Sequence, residues 1–142
     1  IDLKTKILYK KKLSINKNQK LFFTTISYND YVLGETKINV AEFLKNEFIL
    51  VTGIANSKNL VNYLKSKNAK FNHYQFKDHH NYTKNQIDKF VKSNKNILTT
   101  EKDYVKLATF KIQRLFSIGI EIKFVEGEKF FIKILNKQLK IN

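Results

Sequence analysis

The stretch that decides the fold class is Phe48-Ile49-Leu50-Val51-Thr52-Gly53-Ile54. It is short and almost entirely apolar, which is the pattern of a strand buried on both faces of a parallel sheet. Ser57 follows within a few residues, and serine is a favoured residue for capping the start of a helix. That helix would carry Leu60, Val61 and Leu64. The stretch therefore predicts one buried strand that leads directly into one helix.

The same succession of strand, turn and helix repeats towards the carboxyl end of the chain. Further strands are predicted at residues 71–76, 96–99 and 120–125. Helices are predicted to start at Thr83, where Gln86 completes a capping box, and at Thr100, which Asp103 follows three residues later. The apolar residues that these two helices could turn inward are Ile87, Phe90 and Val91 in the first, and Val105, Leu107 and Ala108 in the second. A closing helix is predicted over residues 129–140. This alternation predicts an α/β fold with an open, largely parallel sheet flanked by helices.

The amino-terminal part follows a different pattern. Apolar and polar residues alternate, first at Ile7 and Tyr9 and then along residues 21–28, which predicts strands. Asn29-Asp30 is the predicted turn between residues 21–28 and 31–33, and the three lysines at 10–12 are placed on a solvated edge or turn. Residues 1–46 are thus predicted to be a β-hairpin or linker region, and residues 47–142 an α/β lobe.

Composition limits the classes of function. The chain has 142 residues, enough for one domain with its own core. It opens on Ile1 and has no methionine, so we expect it to be part of a longer product. Because it contains no cysteine, disulfides, a thiolate nucleophile and cysteine-based zinc sites are excluded. The longest strongly apolar run, Phe48-Ile49-Leu50-Val51, is far shorter than the roughly 20 residues that span a bilayer.

The formal charge of +15 is compatible with binding to nucleic acid or to an anionic membrane surface. Lysine supplies almost all of this charge, and Arg114 is the only arginine, whereas recognition of base edges and phosphates favours the planar guanidinium. A genome rich in A and T would also produce many lysines and asparagines. Genomic bias is the preferred explanation, and a basic nucleic-acid-binding module without catalytic activity stays as the alternative, testable by the salt dependence of its affinity.

In parallel sheets, ligands bind beyond the carboxyl ends of the strands. Three predicted loops lie there: Gly53-Ile54-Ala55-Asn56, Asp78-His79-His80-Asn81-Tyr82 and Thr99-Thr100-Glu101-Lys102-Asp103. The second loop is the best candidate for chemistry, because histidine beside a carboxylate can transfer protons near neutral pH. His73, on the preceding strand, is interpreted as a packed or surface residue.

The alternatives for these loops remain open at this point. In the second loop, a histidine could instead cap the next helix. In the third, Lys102 and the free amides of a helix start could hold an anion, or Thr100 and Asp103 could simply cap the helix. A metal phosphoesterase is a rival interpretation, but it needs more aspartates, of which only Asp103 is an obvious recruit. None of the four glycines belongs to a phosphate-binding loop, so this chain is not expected to hold ATP by itself.

Taken together, three segments resemble the carboxy-terminal signature of the tetraacyldisaccharide 4'-kinase family. They are Ile49-Leu50-Val51-Thr52-Gly53-Ile54-Ala55-Asn56, Phe76-Lys77-Asp78-His79-His80-Asn81-Tyr82-Thr83 and Leu98-Thr99-Thr100-Glu101-Lys102-Asp103-Tyr104-Val105-Lys106-Leu107. The resemblance covers about residues 48–107. One departure is Ser57, at a position where the family usually has proline.

The resemblance implies an ATP- and Mg²⁺-dependent enzyme that phosphorylates the 4'-hydroxyl of tetraacyldisaccharide 1-phosphate during lipid A synthesis. It implies a peripheral location on the cytoplasmic face of the inner membrane, contact with the anionic membrane surface, and no nucleic-acid partner. The nucleotide would be bound mainly by an amino-terminal kinase domain upstream of Ile1, so the isolated chain is expected to be inactive.

The resemblance also implies roles for individual residues. His79 would orient, or share a proton with, a carboxylate base contributed by the amino-terminal domain, and Asp78 would hold the loop. His80 and Tyr82 would support the loop or touch substrate. The remaining residues given to substrate binding or loop support are Gly53, Asn56, Thr100, Lys102 and Asp103. No residue is expected to bind a metal.

Overall fold

The computed structural model describes residues 2–139. The elements in chain order are α1 (Leu3–Lys12), β1 (Thr24–Leu33), β2 (Lys37–Asn39), α2 (Val40–Phe43), β3 (Phe48–Thr52), α3 (Lys58–Ser66), β4 (Phe71–Gln75), α4 (Lys84–Val91), β5 (Ile97–Thr100), α5 (Glu101–Ala108), β6 (Leu115–Phe124) and α6 (Glu128–Leu139). The strands form a sheet with the order β2-β1-β6-β5-β3-β4. Strand β3 pairs in parallel with β4 and β5, β5 pairs in parallel with β6, and β1 and β2 are antiparallel. The predicted α/β class is therefore confirmed.

The chain divides into two compact units. The larger unit, Tyr28–Ile120, contains β2 to α5 and has a core on each face of its sheet. Alternate residues of β3 enter different cores, because successive side chains of a strand point to opposite faces. Phe48 and Leu50 pack with Leu60 and Leu64 of α3 on one face. Ile49 and Val51 pack on the other face, together with the apolar residues Ile87, Phe90 and Leu107 of α4 and α5.

The smaller unit is made of the residues up to Ser27 and those from Glu121 onward. Its aromatic cluster places Phe22 against Phe124 and Phe131, with ring centroids 6.2 and 5.2 Å away. Lys6 and Glu126 form an ion pair of 2.6 Å. Neither α1 nor α6 contains a buried residue.

The prediction of strands at the amino terminus is wrong for residues 3–12, which form helix α1. Asp2 caps this helix by accepting a hydrogen bond of 2.7 Å from the Thr5 amide. The lysines at 10–12 lie in its last turn, where positive charge is favourable, and not on a strand edge. The alternation at Ile7 and Tyr9 was too short to distinguish a strand from a helix.

The predicted hairpin exists, but its turn lies elsewhere. Strand β1 runs without a break through Asn29-Asp30, and the reversal occurs between Leu33 and Lys37, which are paired. Gly34 suits this position because a Cβ there would lie 2.4 Å from the carbonyl oxygen of Leu115. Close packing of the turn against the neighbouring strand therefore requires glycine.

Several further details differ from the sequence-based predictions. Strand β6 starts at Leu115, five residues before the predicted start, and helix α2 was not predicted. Val105 is 71% exposed, Val91 is 50% exposed and Ala108 is exposed, so only Ile87, Phe90 and Leu107 of the predicted inward residues are buried. The closing helix is confirmed as α6, and the predicted end at Lys140 lies outside the described residues.

Candidate functional site

The three predicted loops lie together at one edge of the sheet, because the strands before them are parallel and in register. Thr52, the last residue of β3, pairs with Gln75, the last residue of β4. Val51 pairs with Thr99 of β5. The loops after these strands therefore leave the sheet side by side, and side chains from α5 join them to one another.

Asp78 lies at the centre of the second loop. Its Oδ1 accepts a hydrogen bond of 3.0 Å from the His79 amide and one of 2.7 Å from Nζ of Lys102. Its Oδ2 lies 3.6 Å from Nε2 of His79. The hydrogen bond from Lys102 is the main reason that the pKa of Asp78 is below its usual value. A negative charge beside the imidazole of His79 is thus maintained at neutral pH.

His79 is presented to solvent by an unusual backbone conformation. Its φ is +58°, in the left-handed region that non-glycine residues rarely adopt. Its side chain is 77% exposed, and the neighbouring Asp78 side chain is 35% exposed. An exposed imidazole next to a carboxylate can accept, donate or orient a proton on a group that approaches from outside.

His80 is held inside the loop. Its ring stacks on Phe76 at a centroid distance of 4.4 Å and meets the edge of Tyr82 at 5.0 Å. Its Nε2 is 3.1 Å from Oε1 of Gln86, the same oxygen that accepts the Thr83 amide of the capping box. These contacts anchor His80 within the loop.

The third loop is tied to the first by a buried carboxylate. Asp103 is fully buried, and its Oδ2 accepts hydrogen bonds from the Gly53 amide, at 2.8 Å, and from the Thr100 hydroxyl, at 2.9 Å. The Thr100 hydroxyl in turn accepts the Asp103 amide at the start of α5. Asp103 and Thr100 therefore fix the Gly53 loop against α5.

Tyr82 lies near the same carboxylate, and Gly53 lies close to both side chains. Tyr82 is only 8% exposed, and burial, followed by the nearby Asp103 carboxylate, raises its pKa well above the usual value. A Cβ at Gly53 would lie 2.8 Å from the Tyr82 hydroxyl and 2.9 Å from Oδ1 of Asp103. Neither of these two oxygens has a hydrogen-bond partner within residues 2–139.

Asn56 performs the capping that was predicted for Ser57. Its Oδ1 accepts the Lys58 amide at 3.0 Å. Ser57 occupies the N-cap position of α3, but its side chain makes no capping hydrogen bond, since its backbone is already helical, with φ −88° and ψ −4°. The prediction of the helix start is confirmed, whereas the predicted capping group is wrong.

Lys106 is a site residue that sequence reasoning missed. Its Nζ donates a hydrogen bond of 3.0 Å to the carbonyl oxygen of His80. The available signal was its spacing from Lys102, because residues four apart on a helix share a face. His73 lies outside this group of contacts: it is half-buried on β4, its Nε2 is 2.8 Å from Oγ1 of Thr52, and burial lowers its pKa.

Besides a cavity of about 480 Å³ that is lined by residues between Asp30 and Lys67, two further cavities in the larger unit have the size of small ligand sites. One, of about 400 Å³, lies beside Asp78 and is lined by Ile54, Ala55, Gln75, Phe76, Lys77 and Asp78. The other, of about 380 Å³, lies near the amino end of β5, where Ile97, Lys111 and Arg114 are among its lining residues. Only the cavity beside Asp78 adjoins the loops that carry His79.

The described residues contain no group of three or more histidine, aspartate or glutamate side chains that could hold a metal ion. The sequence also contains no phosphate-binding loop. Within residues 2–139, no helix is long and apolar enough to cross a membrane.

The comparisons with known proteins agree on one family. A family model described as tetraacyldisaccharide-1-P 4'-kinase matches residues 5–140. The tetraacyldisaccharide 4'-kinase of Flavobacterium johnsoniae is 33% identical over 135 residues, which are 92% of this chain and 39% of that protein. That of Flavobacterium psychrophilum is 35% identical over 122 residues, 83% of this chain and 35% of that protein.

A solved structure has the same fold. The crystal structure of LpxK from Aquifex aeolicus in complex with ATP superposes with a TM-score of 0.55 at 18% identity, covering 84% of this chain and 39% of that one. The chain thus spans between 35% and 39% of the length of these three relatives. Because the family model matches nearly the whole chain, the chain belongs to the tetraacyldisaccharide 4'-kinase family.

Proposed function

We propose that this chain is the carboxy-terminal α/β lobe of an ATP-dependent kinase that phosphorylates the 4'-hydroxyl of tetraacyldisaccharide 1-phosphate in lipid A synthesis. The family match over residues 5–140 supports the reaction class. The observation that carries the proposal for the site is the pair Asp78 and His79, in which an exposed imidazole lies 3.6 Å from a carboxylate oxygen.

In this proposal His79 does not act on the substrate by itself. It orients, or shares a proton with, a carboxylate base contributed by an amino-terminal domain, and Asp78 holds its loop. Phosphoryl transfer depends mainly on positioning and on stabilisation of charge, so a histidine that steers the base is a sufficient contribution from this lobe. The exposure of His79 supports this role, because a group from another domain can reach it.

ATP and Mg²⁺ are assigned to the amino-terminal domain. The solved relative from Aquifex aeolicus is a complex with ATP, whereas the residues of the present chain supply neither a phosphate-binding loop nor a cluster of metal ligands within the described part. The isolated chain is therefore proposed to be inactive. The cavity beside Asp78, with apolar Ile54 and Phe76 and cationic Lys77, is proposed to receive part of the lipid disaccharide.

The enzyme is proposed to work as a peripheral protein on the cytoplasmic face of the inner membrane. Its substrate carries acyl chains and a phosphate, and must be reached at the bilayer surface. The formal charge of +15 supports attraction to anionic lipid headgroups, since each basic group near such a surface contributes about 1 kcal/mol.

The test is kinase activity of the protein expressed from its complete coding sequence, with ATP, Mg²⁺ and tetraacyldisaccharide 1-phosphate. His79→Ala is expected to lower kcat about 100-fold or more while leaving the KM for ATP and the melting temperature nearly unchanged. His73→Gln, at a histidine outside the site, is the matched control. Loss of less than about fivefold in His79→Ala would refute the role of His79, and absence of lipid phosphorylation by the unaltered protein would refute the proposed reaction.

A further inference from the structure

Two lysines on α5 hold the loop on either side of His79. Lys102 donates to Oδ1 of Asp78 at 2.7 Å, and Lys106 donates to the carbonyl oxygen of His80 at 3.0 Å. The two lysines are one helical turn apart and therefore project from the same face of α5. Their contacts bracket His79 on its amino and carboxyl sides without touching it.

Besides the hydrogen bond of 3.2 Å from the His80 amide to the carbonyl oxygen of Lys77, which closes the turn around it, His79 has few contacts that fix its position. Within the described part of the chain, its side chain and amide contact Asp78, and its imidazole is 77% exposed. Its left-handed φ of +58° is sterically unfavourable for a residue with a Cβ and persists only where the surroundings enforce it. The flanking residues, and what binds them, therefore determine where the imidazole stands.

Lys106 contributes differently from Lys102. Lys102 acts on a side chain and also changes the charge environment of Asp78. Lys106 is partly buried and binds a backbone carbonyl, so it acts on the course of the loop and takes no part in the Asp78–Lys102 ion pair. A charged donor to a carbonyl is stronger than a neutral one, and no other hydrogen bond to this carbonyl exists within residues 2–139.

We propose that Lys106 is a positioning residue that holds His79 in its left-handed, outward-facing conformation through the carbonyl of His80. Lys102 holds the same loop through Asp78. The catalytic consequence rests on the proposed function, in which His79 serves the phosphoryl transfer, but the structural consequence does not depend on it.

The structural arm of the test uses the 142-residue chain. Lys106→Met keeps most of the side-chain stem and removes the donor, whereas Lys106→Arg keeps a cationic donor. Amide hydrogen exchange measured by NMR is expected to be at least about fivefold faster at His79 and His80 in Lys106→Met, and unchanged at Leu50 and Leu98 in the core. The arginine variant should restore most of the protection, and Lys65→Met on α3 should have no effect.

The catalytic arm uses the enzyme expressed from its complete coding sequence. Lys106→Met is expected to lower kcat about tenfold or more with the KM for ATP within about twofold, and Lys106→Arg to recover most of the loss. Unchanged exchange at His79 and His80, or an equal increase at the core amides, would overturn the proposal. So would full activity of Lys106→Met in an enzyme that His79→Ala inactivates. If His79→Ala itself retains activity, the proposed function fails while the exchange data still decide whether Lys106 holds the loop.

Discussion

The backbone amide of Gly53 donates a hydrogen bond of 2.8 Å to Oδ2 of Asp103, which lies 50 residues later in the chain. The same oxygen accepts the Thr100 hydroxyl. One buried carboxylate thus joins the loop after β3 to the start of α5. Helix α5 also carries Lys102 and Lys106, which donate hydrogen bonds to the loop that bears His79. Asp103 therefore holds the helix from which these two lysines reach that loop.

Asp103→Ala is expected to destabilise the chain by about 2 to 4 kcal/mol, because it leaves the buried Gly53 amide and the Thr100 hydroxyl without their acceptor. Asp103→Asn keeps one acceptor oxygen and should cost less. Urea unfolding gives both values. Asp88→Ala, an exposed aspartate on α4, is the control and should stay within about 0.5 kcal/mol of the unaltered chain. Equal stability of Asp103→Ala and the control would show that the buried hydrogen bonds contribute nothing.

Gly53→Ala tests how closely the side chains pack around the Asp103 carboxylate. The new methyl group would lie 2.8 Å from the Tyr82 hydroxyl and 2.9 Å from Oδ1 of Asp103, both belonging to buried side chains. We expect a loss of about 1 to 3 kcal/mol in the free energy of unfolding. In a Tyr82→Phe background, where the hydroxyl is gone, the same change should cost less by at least about 0.5 kcal/mol. Strictly additive effects would contradict the contact between these two positions.

The sequence was sufficient to predict where the loops lie, but not which contacts join them. The apolar run of β3 and the capping signals at Thr83 and Thr100 are local, and they located the strands and helices that put three loops at one sheet edge. The contacts between loops join residues far apart, such as Lys106 and His80, 26 residues earlier. Many lysines could have made such a contact, and nothing in the local sequence distinguishes the one that does.

The different environments of the two histidines could not be predicted from composition or spacing, and only the family resemblance assigned the two residues different roles. His79 and His80 are adjacent and chemically identical, so composition gives no reason to prefer one. The left-handed conformation of His79 turns its ring to solvent, while His80 stacks on Phe76. At the amino terminus two local patterns predicted different structures. Asp2 can cap a helix, and it does cap α1, whereas the alternation that predicted a strand consisted of only two apolar residues.

The helix starts at Thr83 and Ser57 resemble each other in sequence, but we expect mutations at these two positions to affect stability differently. Thr83→Ala removes a hydroxyl that accepts the Gln86 amide in a capping box, and should destabilise the chain by about 1 kcal/mol. Ser57→Ala removes a hydroxyl that makes no capping bond, and should stay within about 0.5 kcal/mol of the unaltered chain. Thermal unfolding of both variants measures the difference. A larger cost for Ser57→Ala than for Thr83→Ala would contradict the assignment of the caps.

The lowered pKa of His73 predicts that the stability of the chain depends on pH, and one variant can measure this contribution. Burial lowers its pKa from the usual 6.5 in the folded chain, so the unfolded chain binds the proton more tightly. The stabilisation from neutral His73 is therefore fully present above pH 6.5 and is lost as the pH falls through the lower pKa of the folded state. His73→Gln cannot titrate and can keep a hydrogen bond to Oγ1 of Thr52. Measured from about pH 8 to about pH 5, the melting temperature of this variant should fall less than that of the unaltered chain. The other titratable groups are common to both proteins. If the melting temperatures of the two proteins changed in parallel over that pH range, His73 would have the same pKa in the folded and the unfolded chain.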